Sequence, residues 1–214
     1  CVFQGCTELS GINYPVNLAT VEYYSTSYGA RLFYGCAKLT KITVPEEVTG
    51  IPDWTFSGSA GLREVTLPDS LESVGSNAFM GCSGMTEIIF KEGLKTIESG
   101  AFSKCEALTA VSLPGTLIAI GNSAFSECAG LIEAVLNEGV EVIGNHAFEG
   151  CTSLAKLVLP DSLKTIESYG FSRCTGLKRV SLPDGLEKLG CCVFQDCTEL
   201  AAINYPASLS AVDY

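Results

Sequence analysis

Eleven cysteines, a single histidine and 24 Asp and Glu residues are the side chains of this 214-residue sequence that could do chemistry. Thiolates act as nucleophiles and soft-metal ligands, while histidine or paired carboxylates act as general acids and bases. The spacing argues against each use. Cys6, Cys36, Cys82, Cys105, Cys128, Cys151, Cys174 and Cys197 occupy one repeated position. They are too far apart in sequence for C-x-x-C zinc clusters, and one histidine leaves little to complete a site. They read as a column of buried free thiols that pack as small apolar side chains. Cys1, Cys191 and Cys192 fall outside the column and are the candidates for reactivity. His146 lies in Gly144-Asn145-His146-Ala147, just before a core phenylalanine, with no local partner motif, and reads as an exposed loop histidine. No phosphate loop, nucleophile elbow or metal signature occurs. The expectation is a non-catalytic chain with no catalytic residue, no metal site and no cofactor.

Composition narrows the classes further. The formal charge of -11 argues against nucleic acid, whose phosphates need a basic footprint. Hydrophobic residues make up 47% and charged residues 17%, enough to build a core and too apolar for disorder. No apolar run approaches a membrane span, so no membrane insertion is expected within this segment. The opening residues Cys1-Val2-Phe3-Gln4 fall in the middle of a repeat, and residues 192–214 closely repeat 1–23. We read 1–214 as a single repeat array excised from a longer protein.

The elements that must position these side chains are set by a period. Phe33, Phe56, Phe79, Phe102, Phe125, Phe148, Phe171 and Phe194 stand 23 residues apart, each followed six positions later by a leucine or Met85. An earlier unit carries Phe3 and Leu9, which makes nine units. Each unit holds one short alternating run, such as Ile42-Thr43-Val44 or Val180-Ser181-Leu182, the period-2 mark of a half-buried strand. A proline turn follows, as at Pro68-Asp69-Ser70. The segment around Ala-Phe-x-x-Cys is too short for a full helix and predicts an extended piece with a single helical or 3₁₀ turn. One 23-residue unit buries too little to offset its ordering entropy, so the units must stack.

The L-x-x-[VI]-x-L run with a 23-residue period resembles leucine-rich repeats. The proline after the strand and the A-F-x-x-C segment resemble the BspA-type subclass, found in bacterial surface proteins and some parasitic protists. The departures are local: Ser59 for the column cysteine, Lys91 and Asn137 for the proline, and Ala134 weakening one strand. The resemblance implies a right-handed leucine-rich-repeat solenoid of about nine coils. A parallel sheet would cover one face, with turns, extended pieces and short helical or 3₁₀ turns on the other. It also implies a cell-surface or secreted location and adhesion to an extracellular or cell-surface protein of a host or another microbe. The alternative is a structural spacer that holds another domain away from the surface.

Function should then reside in what the repeat leaves free. In a V-x-L strand the middle residue and the one two before it point outward. That expectation selects Glu64, Glu87, Ile89, Glu133, Val135, Lys156, Val158 and Arg179 as a contact face, apolar in its middle and flanked by opposite charges. The period breaks once, where seven extra residues fall between Val21 and Phe33, bringing Tyr23, Tyr24 and Tyr28 close together in the sequence. Clustered tyrosines suit recognition, and they form the second candidate contact.

Overall fold

A computed structural model describes residues 2–14 and 31–209 of the chain. Most described units make two extended pieces. The one after the proline turn ends on an inward Val, Ile or Leu, as in Gly50–Ile51, Ser73–Val74, Thr96–Ile97, Ala119–Ile120, Val142–Ile143, Thr165–Ile166 and Lys188–Leu189. These seven pair in parallel, each residue facing the one 23 positions on, into one continuous sheet. Close approach of the coils requires glycine just past several of these strands. A Cβ on Gly121 would meet the Ile97 carbonyl oxygen at 2.6 Å, and one on Gly144 the Ile120 carbonyl oxygen at 2.7 Å.

The alternating runs before the proline form the other sheet face, and there the ladder is divided. Lys41–Thr43 pairs with Glu64–Thr66; Ala110–Leu113, Glu133–Leu136 and Lys156–Val158 form a three-stranded piece; Arg179–Val180 pairs with Ala202–Ile203. Glu87 makes only a single bridge to Ala110. One seam therefore falls between Glu64–Thr66 and Glu87, the other between Lys156–Val158 and Arg179–Val180. At the first, Phe90 fills the inward position that Leu67, Leu113 and Leu136 hold elsewhere. Its larger ring is only half buried and packs edge-on against Phe102, at 5.5 Å and 76°, and we attribute the opening to that bulk. Ala134, expected to weaken its strand, is instead fully buried in the middle of the three-stranded piece.

Two fold expectations are corrected. Among the described residues there is no helical or 3₁₀ segment, and the nine sequence units give a parallel β-solenoid of about seven turns, matching the seven-stranded sheet. The Ala-Phe-x-x-Cys segment fails to be helical because, from Phe33 to Phe194, left-handed residues flank each column phenylalanine at two positions before and two after. Asn77 and Gly81 bracket Phe79 (φ 55° and 71°), and Ser123 and Glu127 bracket Phe125 (φ 54° and 60°). A right-handed helix cannot pass such residues. The alternation turns the N–H groups of these two positions and of the phenylalanine along the solenoid axis. Asn77, Phe79 and Gly81 donate to the Ser99, Ala101 and Ser103 carbonyls of the next coil at 2.8–2.9 Å. The intervening Ala78 and Met80 donate within their own coil, to Gly75 and Asn77. The backbone is satisfied by stacking where a helix would have satisfied it locally.

The proline turn survives its substitutions. Leu94 donates its N–H to the Lys91 carbonyl and Val140 to the Asn137 carbonyl, as Leu117 does to Pro114.

The core is a pair of columns. The nine phenylalanines from Phe3 to Phe194 stack with centroids 5.0–5.8 Å apart and planes within 4–14° of parallel. Beside them the column thiols are free, and Cys36 through Cys174 are buried. The column is more than apolar filling. From Cys36 to Cys197 each column thiol donates to the phenylalanine carbonyl of the preceding coil, as Cys128 does to Phe102 at 3.1 Å and Cys151 to Phe125 at 3.2 Å. Ser59 makes the same bond to Phe33 at 2.7 Å, which explains why serine substitutes there. Burial pushes Cys128 up to about 12 and holds Cys82, Cys105, Cys151 and Cys174 well above the ordinary thiol range.

Candidate functional site

The divided sheet brings Glu64, Glu87, Ile89, Glu133, Val135, Lys156, Val158 and Arg179 onto one face. Alternation dictates this: Ile42, Val111 and Ala134 turn inward and are buried, which leaves their neighbours outward. Ile89 is 62% exposed and Val158 41%, while Glu133 and Val135 are half buried.

Electrostatics differs from the sequence expectation. The acidic and basic members do not form separate poles, because neighbouring coils pair them. Lys156 bridges Glu133 directly, and Lys41 reaches Glu64 at 2.8 Å, holding that carboxyl below its usual range. Among the described residues Glu87 and Arg179 have no ion pair. The charges left for a ligand are therefore Glu87 beside Ile89 and Arg179 one coil from Val158.

Both lie at the seams. A cavity of about 280 Å³ opens where Glu64–Thr66 and the 87–91 segment fail to pair, lined by both glutamates, Val65, Ile89 and Lys91. A wider cleft of about 800 Å³ runs mainly along the paired Arg179–Val180 and Ala202–Ile203 strands, with Leu157 reaching it from across the second seam. A third, between residues 10–13 and 41–43, shares the same face. Ile203 is in register with inward Val180 and lines the second cleft from the last described coil. Sequence reasoning missed the division of this sheet; at the first seam the signal available was Phe90, the one aromatic in its run. Tyr23, Tyr24 and Tyr28 lie outside the described residues.

The other candidates for chemistry are accounted for. His146 is half exposed and does have partners: its ring stacks on Tyr169 at 4.8 Å and its Nδ1 lies 2.7 Å from Glu149 Oε2. Arg173 bridges Glu127 at 2.5 Å and Glu149 at 3.6 Å, so the carboxylates there are held in ion pairs. Trp54 lies under the Arg31 guanidinium at 5.3 Å. Among the described residues no group of three or more His, Cys, Asp or Glu could hold a metal ion, and no helix is long and apolar enough to cross a membrane.

A parallel solenoid with a 23-residue period, a phenylalanine column and a seamed sheet face is a leucine-rich-repeat scaffold. The chain belongs to the BspA-type leucine-rich repeat family, whose repeat-region model matches residues 26–154 and 118–214. Solved bacterial structures resemble it. A leucine-rich repeat protein from Eubacterium ventriosum has a TM-score of 0.75 at 25% identity, over 81% of this chain and 47% of that one. One from Bacteroides ovatus has 0.63 at 30% identity, over 80% and 50%. A leucine-rich cell surface protein from Faecalibacterium prausnitzii has 0.58 at 25% identity, over 84% and 63%. The chain thus spans about half to somewhat under two-thirds of the length of these proteins. Comparison with curated proteins finds no match.

Proposed function

We propose that this chain is a non-catalytic, adhesion-type protein-binding module of a cell-surface or secreted protein, and that the seamed sheet face makes the contact. The observation that carries the reading is the coincidence of three features on that face: its cavities, exposed Ile89 and Val158, and the unpaired charges of Glu87 and Arg179. A mixed apolar and charged strip on a rigid frame suits an extracellular or cell-surface protein of a host or another microbe. The cell-surface description of the Faecalibacterium relative supports the location.

The test is to immobilise the protein and measure binding of purified extracellular-matrix and bacterial surface proteins to three forms: wild type, Glu87→Gln/Ile89→Ser/Val158→Ser/Arg179→Gln, and a control on the opposite sheet, Lys95→Gln/Ile118→Ser. A contact of about 2 kcal/mol in the seams weakens binding by more than tenfold in the first variant and leaves the control unchanged. Equal binding by wild type and the seam variant refutes the face. Absence of any ligand across the set favours the spacer alternative.

A further inference from the structure

The first seam leaves main-chain groups open as well as a cavity. Where Lys41–Thr43 pairs with Glu64–Thr66, Glu64 donates to the Thr40 carbonyl at 3.2 Å, and the Thr66 carbonyl accepts from Val44 at 2.9 Å. Both groups face the preceding coil, so the N–H and C=O of Val65 between them face the following one. One coil on, the counterparts are missing. Among the described residues Glu87 donates no such bond to the Arg63 carbonyl, and Leu67 donates none to the Ile89 carbonyl. Val65 accordingly has no strand on that side, whereas Val111, its equivalent two coils on, pairs with Glu133–Leu136.

The cavity of about 280 Å³ sits on this gap and runs from outward Glu64, Glu87 and Ile89 to inward Val65 and Leu67. Its lining carries two carboxylates and one ammonium, Lys91. The cations nearby are engaged elsewhere: Lys41 lies 2.8 Å from Glu64, and Lys91 lies 3.9 Å from Asp69. What the seam offers is therefore the Glu87 carboxylate, a Val65 carbonyl oxygen that lacks a donor among the described residues, and the exposed Ile89 side chain. Main-chain oxygens left unpaired in a cleft gain when a donor arrives.

An occupant that satisfies all three brings a positive charge, several N–H donors and an apolar stem. Arginine and lysine both have these, and the arginine fork fits better. Its planar donors reach a carbonyl and a carboxylate at once, and guanidinium sheds water more readily than ammonium. The methylene stem covers apolar surface while the head stays with its acceptors.

Taking the seamed face as the contact, we propose that the first seam receives one arginine side chain of the partner protein. Its guanidinium donates to the Val65 carbonyl oxygen and the Glu87 carboxylate, and its stem packs on Ile89.

The probe is N-acetyl-arginine methylamide, added to the isotope-labelled native protein and followed through the backbone amide signals in NMR spectra. Saturable shifts should be confined to the amides around the seam, those of Val65, Leu67, Glu87 and Ile89. Glu87→Gln should weaken the response by more than about tenfold, as for loss of a charge-assisted hydrogen bond. Glu98→Gln, at an exposed carboxylate just past the Thr96–Ile97 strand, should leave it unchanged. The lysine analogue should bind more weakly than the arginine one. In Phe90→Leu the response should track the seam: lost if hydrogen exchange at the Val65 amide slows, which reports closure, and kept if it does not. Shifts spread over the surface, full response in Glu87→Gln, equal response to lysine, or a mismatch between response and closure in Phe90→Leu would each overturn the arginine site. So would no response by the wild type. None of these outcomes touches the wider reading of the face, which binding of the protein panel to the four-residue seam variant decides separately.

Discussion

Phe125→Leu tests whether the aromatic column holds the coils together or merely fills space. The ring is fully buried between Phe102 and Phe148, with centroids at 5.3 and 5.2 Å and planes within 6° and 8° of parallel. Each such pair contributes about 0.5–1.5 kcal/mol beyond its buried area, so losing two costs about 1–3 kcal/mol. Leucine keeps the site apolar, and its imperfect fit adds less than about 1.5 kcal/mol. Phe194→Leu is the control, since among the described residues Phe194, half buried, stacks on Phe171 alone, at the longer distance of 5.8 Å. Urea unfolding followed by circular dichroism should give a midpoint for Phe125→Leu well below that of Phe194→Leu. A fall in the m-value would accompany it if the break uncouples the two halves of the array. If the two variants lose the same stability, stacking along the column is not what couples the coils.

Three further outcomes follow from the turn and the thiols. Gly81→Ala should cost about 1 kcal/mol from backbone conformation alone, because φ is 71° and an added Cβ meets nothing closer than 3.8 Å. Lys104→Gly at the same position one coil on (φ 61°) should raise the urea midpoint; a fall would show that the left-handed residues are not strained. Stability should also decline in alkali. Burial raises the folded-state values of Cys82, Cys105, Cys128, Cys151 and Cys174 above the ordinary 9.0, so their contribution is complete below pH 9. Above it the unfolded chain releases protons that the folded chain keeps, and stability falls by about 1.4 kcal/mol per pH unit for each thiol. Cys128→Ala should flatten the slope of urea midpoint against pH between 9 and 11, and an unchanged slope would refute the assignment.

How much was legible follows from which contacts are local. Strand alternation and the proline turn depend on neighbours in sequence, so Ile42-Thr43-Val44 and Pro68-Asp69-Ser70 revealed themselves directly. The column of cysteines was legible as burial, but the bond from each thiol between Cys82 and Cys174 to a carbonyl 26 residues earlier was not, because it needs the register of two coils. The same holds for the candidate face. Glu133 and Lys156 read as separated charges, yet lie opposite each other once the coils stack. Glu87 and Arg179 stand out only after their neighbours have been paired off.

The helical turn was misjudged for a related reason. A short segment with Ala, Phe and Cys at close spacing suits one turn of helix if its N–H groups must be satisfied locally. In the array they are satisfied by the next coil, and that alternative favours left-handed residues as varied as Asn77, Lys104, His146 and Tyr169. The 23-residue period by itself determined that the coils stack, which side chains form the core and which point outward, because only a repeated apolar pattern can bury both sides of every coil. Only the tertiary structure decided where the sheet divides, which charges are spent on each other and which thiols remain open to solvent. Those depend on the fit of one coil against the next, as with the bulk of Phe90 beside Glu64–Thr66, and no single unit carries that information.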